Sequence, residues 1–316
     1  MADRQEKNDS HTMPTAILGA SGFIGNYLTL TLLHLGYITH LLYNRKDPQF
    51  TSVRGKVVTF RGSIENEKAL EECFESCETV YHLVGLIAQT KDKTFEKVVE
   101  GGTEKVVRAA QNAGVRKIIY LSALGTAPDS DSLYFQTKYR AEQTIINSGL
   151  DYTIFRPSIV YGAEDQFINR IASMIKRAPF LPVIGDGLYR LQPVYVEELC
   201  AVMASAASED FTSRKIYEIG GPEQLTYLEI VDIIKRVLEI KRVNIHIPIG
   251  LVRLVAALME KIIKRAPITT DQIKMMRAGS TCDATVAEKA FNVKFSALET
   301  QLSKYLRSPH GRSQRI

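Results

Sequence analysis

Tyr134 and Lys138 stand four residues apart in the stretch Tyr-Phe-Gln-Thr-Lys, a spacing that puts both side chains on one face of a helix, one turn apart. A phenol with an ordinary pKa of about 10 is a poor proton carrier at neutral pH. A neighbouring ammonium favours the phenolate, so the pair is expected to exchange a proton with a carbonyl or carbinol, with Lys138 also reaching a ribose hydroxyl. Ser122, in Tyr120-Leu-Ser-Ala-Leu-Gly125, is the candidate orienting hydroxyl.

A second constellation is Gly19-Ala-Ser-Gly-Phe-Ile-Gly25, which follows the apolar run Thr15–Leu18 and opens a helical pattern. Gly19, Gly22 and Gly25 meet three demands: a tight turn, close approach of backbone N–H groups to a pyrophosphate, and close packing of helix on sheet. Ser21, Phe23 and Ile24 contribute the remaining backbone of the cradle. The chemistry is that of a dinucleotide site, and a nicotinamide cofactor is expected there, its ribose within the compass of Lys138. An acid at the end of the second strand would hold an adenosine ribose and repel a 2′-phosphate. Instead that end carries Asn44, Arg45 and Lys46, which favours NADP(H) over NAD(H), since a guanidinium suits bidentate phosphate contact. Ser63, after the third strand, is a candidate adenine-edge contact. No zinc or redox spacing joins Cys73, Cys77, Cys200 and Cys282, so no metal site is expected and the thiols read as reduced.

These residues need a scaffold of alternating elements. Short apolar runs at Thr15–Leu18, Ile38–Tyr43, Val57–Phe60, Thr79–Val84, Lys117–Ser122 and Tyr152–Phe155 predict buried strands. Helical patterns at Phe23–Leu35, Glu67–Phe74, Thr94–Asn112 and Phe135–Ser148 lie between them, several closed by Gly36, Gly114 or Gly149. The alternation predicts an α/β fold: a doubly wound parallel sheet of Rossmann type, with a smaller C-terminal α/β lobe. The expected division is a disordered leader over 1–12, a nucleotide domain over 13–157 to which later segments return, a substrate or partner lobe over 158–306, and a basic tail over 307–316. The second half carries a helical pattern at Val196–Ala207, a short strand at Ile216–Ile219, and helices at Tyr227–Leu238, Leu251–Lys264, Thr270–Met276 and Leu298–Leu306.

With 316 residues, 45% hydrophobic content and a net charge of +5, the chain can bury a large core without staples. The polar first twelve residues lack the apolar centre of a secretory signal, and no run of about 18 apolar residues predicts a membrane span. A cytosol-like location, at most peripheral to a membrane, is expected. Neither zinc-finger spacing nor a basic stripe supports nucleic-acid binding. The segment Ile249–Arg265 is broadly apolar with a basic end: Leu251, Val255, Leu258 and Ile262 share a face that Val252, Leu254 and Ile263 widen. Two readings stand, a buried helix of the second lobe and a docking surface for a membrane or a membrane-bound partner.

The chain resembles the extended and atypical short-chain dehydrogenase/reductases, and within them the group of the 39-kDa accessory subunit of respiratory complex I. The resemblance runs through GASGFIG, YHLVG at 81–85, GVRKIIYLSALG at 114–125, YFQTK at 134–138, FRPSIVYGAEDQFINR at 155–170, QPVYVEEL at 192–199 and YEIGGPEQLTYLEIV at 217–231. It implies NADP(H) across the carboxyl ends of the strands, lined by Leu83, Val84 and Gly85, with the backbone of Pro157, Ser158 and Val160 beside the nicotinamide. In active extended members the catalytic Ser or Thr lies slightly beyond Ser122, where this chain has Ala123 and Leu124. The complex I subunits of the group keep the tyrosine and lysine while binding NADPH without steady turnover. Two functions therefore follow: an oxidoreductase or epimerase acting on a small molecule through Tyr134, Lys138 and Ser122, or a nucleotide-bound scaffold docking a membrane-associated complex.

Overall fold

The computed structural model describes residues 13–44, 50, 55–90, 92–263, 266 and 268–307. Its first element, β1 (Thr15–Leu18), is a four-residue apolar run with every side chain buried, as befits a strand covered on both faces. It feeds α1 (Phe23–His34), then β2 (Ile38–Tyr43), β3 (Lys56–Arg61), α2 (Glu67–Phe74) and β4 (Thr79–His82). A π-helical turn over Glu96–Glu100 leads into α3 (Gly101–Asn112), followed by β5 (Lys117–Leu121), α4 (Leu133–Ile146) and β6 (Asp151–Pro157). The remaining elements are β7 (Val160–Tyr161), α5 (Phe167–Arg177), β8 (Phe180–Ile184), β9 (Arg190–Leu191), β10 (Val194–Tyr195), α6 (Val196–Ser205), β11 (Lys215–Ile219), β12 (Leu225–Thr226), α7 (Tyr227–Leu238), β13 (Val243–Ile247), α8 (Ile249–Ile262), α9 (Thr270–Ala278), α10 (Ala284–Phe291) and α11 (Leu298–Tyr305).

Seven strands form one sheet in the order β11-β6-β5-β4-β1-β2-β3, every pair parallel. The order turns back between β1 and β4, so the carboxyl ends of these two strands flank the crevice where such sheets bind ligands. The expected doubly wound sheet is thus observed, and two later segments return to it. β11 pairs with β6 at the edge, and α6 packs beside α1 on one face. Two apolar layers cover the sheet: one built on α2, α3 and α4 around Leu70, Phe74, Val106 and Ile145, the other on α1 and α6 around Leu28, Leu32, Leu199 and Met203.

A separate core gathers Tyr161, Ile168, Leu181, Ile230, Ile234, Leu298 and Leu302 from β7, α5, β8, α7 and α11. Around it lie three two-stranded sheets, β7–β10, β9–β12 and β8–β13. The capping box of α7, with Thr226 and Glu229 exchanging hydrogen bonds, fixes where that helix begins. The buried-helix reading of the segment that begins at Ile249 is overturned: within α8 only Ala256 is buried, and Leu251, Leu254, Val255, Leu258 and Ile262 are exposed.

Candidate functional site

The glycine turn has the form its residues demand. Gly19 adopts φ +94°, which a side chain would strain, and its carbonyl accepts the Gly22 N–H at 2.9 Å. A Cβ on Gly25 would lie 2.1 Å from the Gly19 carbonyl oxygen and 2.8 Å from its carbon, so only glycine lets α1 approach β1 this closely. Gly22 caps α1 with no side-chain hydrogen bond and no acid in the first turn, leaving the first N–H groups of the helix for an anion. These features fit a dinucleotide phosphate.

The turn abuts the next expected contact. A Cβ on Gly19 would come within 3.4 Å of the Leu83 carbonyl carbon and the Val84 nitrogen, so the β1 and β4 ends form one wall. Two residues on, Gly85 faces Lys138: its Cβ position is 3.5 Å from the lysine Nζ. Gly19, Leu83, Val84, Gly85 and Lys138 therefore form one continuous surface. Asn44 is exposed at the end of β2, and Ser63 follows the adjoining end of β3, where its Oγ accepts the Glu65 N–H at 3.3 Å. Arg45 and Lys46 lie outside the described residues. A cation the sequence reading passed over, Arg61, is exposed at the end of β3 in register with Tyr43. Only its position beside Asn44 singles it out, and that depends on strand register.

Lys138 is buried and donates to the Leu121 carbonyl oxygen at 2.7 Å, while its Nζ lies 4.6 Å from the centre of the Tyr120 ring. Burial lowers its pKa to about 7, against the opposing pull of the Glu142 carboxylate one turn behind. Glu142 is itself fully buried and held by Arg156 through Nε at 2.9 Å and Nη2 at 2.5 Å. Tyr134 packs edge-on against Phe95, with ring centroids 5.6 Å apart, and against Phe135 at 5.4 Å. Leu86, Ala123, Leu133 and Met275 close round this cluster. Burial alone raises the Tyr134 pKa to about 12. The expected lowering by the Lys138 ammonium is thus corrected: the ammonium is spent on Leu121 and Tyr120, and desolvation governs the phenol.

Ser122 is buried, its backbone N–H bonded to the Phe155 carbonyl at 2.7 Å and its Oγ 3.4 Å from the Thr126 hydroxyl. Ala123, which has no hydroxyl to offer, packs against the Tyr134 cluster. Thr126 was not singled out from sequence, and its own hydroxyl donates to the Ala123 carbonyl at 2.7 Å. The backbone near the expected nicotinamide end is largely occupied. The Pro157 carbonyl takes the Leu124 N–H, Ser158 donates its hydroxyl to Ser280 O at 2.8 Å, and Val160 pairs with Val194. The Ser158 hydroxyl therefore ties β6 to the segment after α9. His82, at the end of β4, is buried with Nε2 against the Thr103 hydroxyl at 3.0 Å. Because that hydroxyl donates to Val99 O, Nε2 carries the proton. Burial and the Lys138 charge lower the His82 pKa to about 3, keeping it neutral beside the Leu83–Gly85 wall.

Residues 15–220 match the model of the NAD dependent epimerase/dehydratase family. The chain belongs to this family. It is 27% identical over 298 residues to the mitochondrial NADH dehydrogenase [ubiquinone] 1 alpha subcomplex subunit 9 of Arabidopsis thaliana, covering 90% of this chain and 73% of that protein. It is 29% identical over 192 residues to a ceramide reductase of Caulobacter vibrioides, covering 60% and 59%. The fold superposes on MoeE5 in complex with UDP-glucose and NAD with a TM-score of 0.73 at 19% identity, covering 92% and 96%. The likeness to the extended short-chain dehydrogenase/reductases and to the complex I 39-kDa group, read first from GASGFIG and RPSIVYG, is borne out. Among the described residues no helix is long and apolar enough to cross a membrane.

Proposed function

We propose that the protein is an NADP(H)-binding oxidoreductase that reduces an apolar carbonyl compound, with Tyr134 as proton donor. The observation that carries the reading is the continuous wall from the Gly19 turn through Leu83–Gly85 to Lys138, ending at the enclosed phenol of Tyr134. A bound nicotinamide supplies the hydride. The first N–H groups of α1 would hold the pyrophosphate, Asn44, Arg45 and Arg61 the adenosine end, and Lys138 with Gly85 the nicotinamide ribose. A phenol with its pKa near 12 is protonated at physiological pH, and it would give its proton to the strongly basic oxygen that forms as hydride reaches the carbonyl carbon. Phe95, Leu86, Phe135 and Met275 make its surroundings apolar, and a relative named ceramide reductase supports a lipid-like substrate.

A second reading has its own observation: Ala123 packs against the Phe95–Tyr134–Phe135 cluster at the position where the resemblance to active extended members implies a hydroxyl, and the Arabidopsis relative is named as a complex I subunit. On that reading nucleotide binding stabilises the fold by mass action while the outer surface docks a membrane-associated complex. Calorimetric titration with NADPH and NADH tests the cofactor assignment. NADPH is expected to bind at least tenfold tighter, and Arg45→Ala or Arg61→Ala to remove most of that margin while sparing NADH, because a charge-assisted hydrogen bond contributes roughly 1.5–3 kcal/mol. Equal affinities for the two nucleotides would overturn the NADP(H) preference.

A further inference from the structure

Helix α8 is turned the wrong way for a core helix. Leu251, Leu254, Val255, Leu258 and Ile262 fall within an arc of about 100° on its surface. Their exposures are 54, 60, 40, 51 and 82%, with no polar residue among them. Ala256, its single buried residue, lies on the opposite side. Inward contacts are few. Glu260 accepts from the Thr270 backbone at 3.0 Å, which ties α8 to the start of α9. Val243 and Ile245 of the preceding strand β13 are also exposed, as is Phe180, the register partner of Val243 on β8. An outward apolar stripe on a helix of 14 residues is too short to span a bilayer and has the form of one that lies in its interface.

We infer that α8 embeds in an anionic lipid surface. The charges beside the stripe select this occupant. Lys261 borders the stripe and Arg253 lies on the far side of the helix, both exposed, while Lys241 and Arg242 precede β13. Over residues 241–263 these four cations face one carboxylate, Glu260, which is engaged at Thr270. In sequence Lys264 and Arg265 follow directly. A second copy would bring the same excess of positive charge to both sides of the contact, whereas anionic headgroups neutralise it while the stripe enters the acyl boundary. The attachment reaches the candidate site: α8 leads into α9, whose Met275 covers the Tyr134 cluster and whose Asp271 holds the start of α4. The inference stands apart from the nucleotide reading, because it uses no residue of the dinucleotide wall.

Flotation of the full chain with vesicles of phosphatidylcholine alone, or with phosphatidylglycerol added, tests it at about 0.01 and 0.15 M salt, where screening lengths are about 30 and 8 Å. The wild type is expected to float with the anionic vesicles, more completely at low salt. Leu254→Glu/Leu258→Glu should lower partitioning at least tenfold at both salts, and Arg253→Glu/Lys261→Glu should lower it chiefly at low salt. Unchanged thermal midpoint and NADPH titration in these variants would confirm that the fold is intact. Wild-type protein that stays at the bottom of every gradient overturns the inference. So does a solution dimer that Leu254→Glu/Leu258→Glu dissociates while leaving vesicle partitioning unaltered.

Discussion

The backbone N–H of Tyr134 donates to the Asp271 carboxylate at 3.3 Å, across 137 residues of sequence, so the helix carrying the tyrosine is capped by another element. Asp271 also accepts the Leu133 N–H at 2.9 Å and the Ser132 hydroxyl at 2.8 Å. Ser132 occupies the N-cap position of α4 yet makes no cap of its own, its hydroxyl being donated outward. A carboxylate facing three donors and the positive end of the helix dipole both stabilises α4 and fixes the height of Tyr134. Asp271→Ala is expected to cost about 1–2 kcal/mol in urea denaturation. Asp271→Asn, which keeps one acceptor oxygen, should cost less. Equal stability of the alanine variant and the wild type would show that water caps α4 as well as Asp271 does.

Lys138 makes stability rise with pH above neutrality. Its folded pKa of about 7 lies below the ordinary 10.5, so between those values the unfolded chain binds the extra proton and stability rises with pH. The slope from one such group is at most about 1.4 kcal/mol per pH unit. Buried Lys117, whose pKa is also lowered, adds a contribution of the same sign, so the comparison must be between variants. Between pH 7 and 9 the wild type should gain on the order of 1–2 kcal/mol over Lys138→Met, measured by urea denaturation without nucleotide. Parallel pH profiles for the two proteins would mean that Lys138 keeps its proton in the fold.

Gly25→Ala tests the cradle itself. The added methyl carbon meets backbone atoms only, of Gly19 and Ala20, so no side-chain rotation can relieve it and α1 must move from β1. A destabilisation of about 2–4 kcal/mol and loss of NADPH binding are expected, read by thermal unfolding with and without nucleotide. Gly36→Ala meets nothing within 4 Å, although Gly36 has φ +90°; it should cost stability through the backbone alone and leave nucleotide affinity unchanged.

Sequence and structure agree most where local rules suffice. The runs at Thr15–Leu18, Ile38–Tyr43 and Thr79–Val84 are too short and too apolar for anything but central strands, the last being strand over Thr79–His82, and the glycines at 19, 22 and 25 have few other uses after one. Three features were not legible. Lys138 reads as a cation beside a tyrosine until burial and the Leu121 carbonyl decide otherwise. The stripe of α8 is visible as periodicity, but periodicity does not say whether a stripe faces a core or water. Asp271 carries no local signal as a ligand of α4, because it belongs to the capped start of its own helix, where Thr269 and Gln272 already account for the sequence.

The remaining question is whether Tyr134 turns over a substrate, and two substitutions answer it together. Tyr134→Phe removes the ionisable oxygen and keeps the ring that packs on Phe95 and Phe135, so stability and NADPH affinity should stay within about twofold while any carbonyl reduction is lost. Ala123→Ser puts a hydroxyl where Ala123 packs against the same cluster, restoring the group that active relatives place beyond the Ser122 position. One added hydrogen bond to a substrate oxygen contributes about 1 kcal/mol or more, so the serine variant should reduce apolar ketones roughly fivefold to tenfold faster. NADPH consumption with a panel of long-chain ketones, followed by absorbance and by product mass, gives the readout for both. Activity abolished by Tyr134→Phe and raised by Ala123→Ser assigns the phenol as proton donor. If neither the wild type nor Ala123→Ser oxidises NADPH, while NADPH still raises the thermal midpoint of both, Tyr134 is a packing residue and the chain a nucleotide-stabilised scaffold.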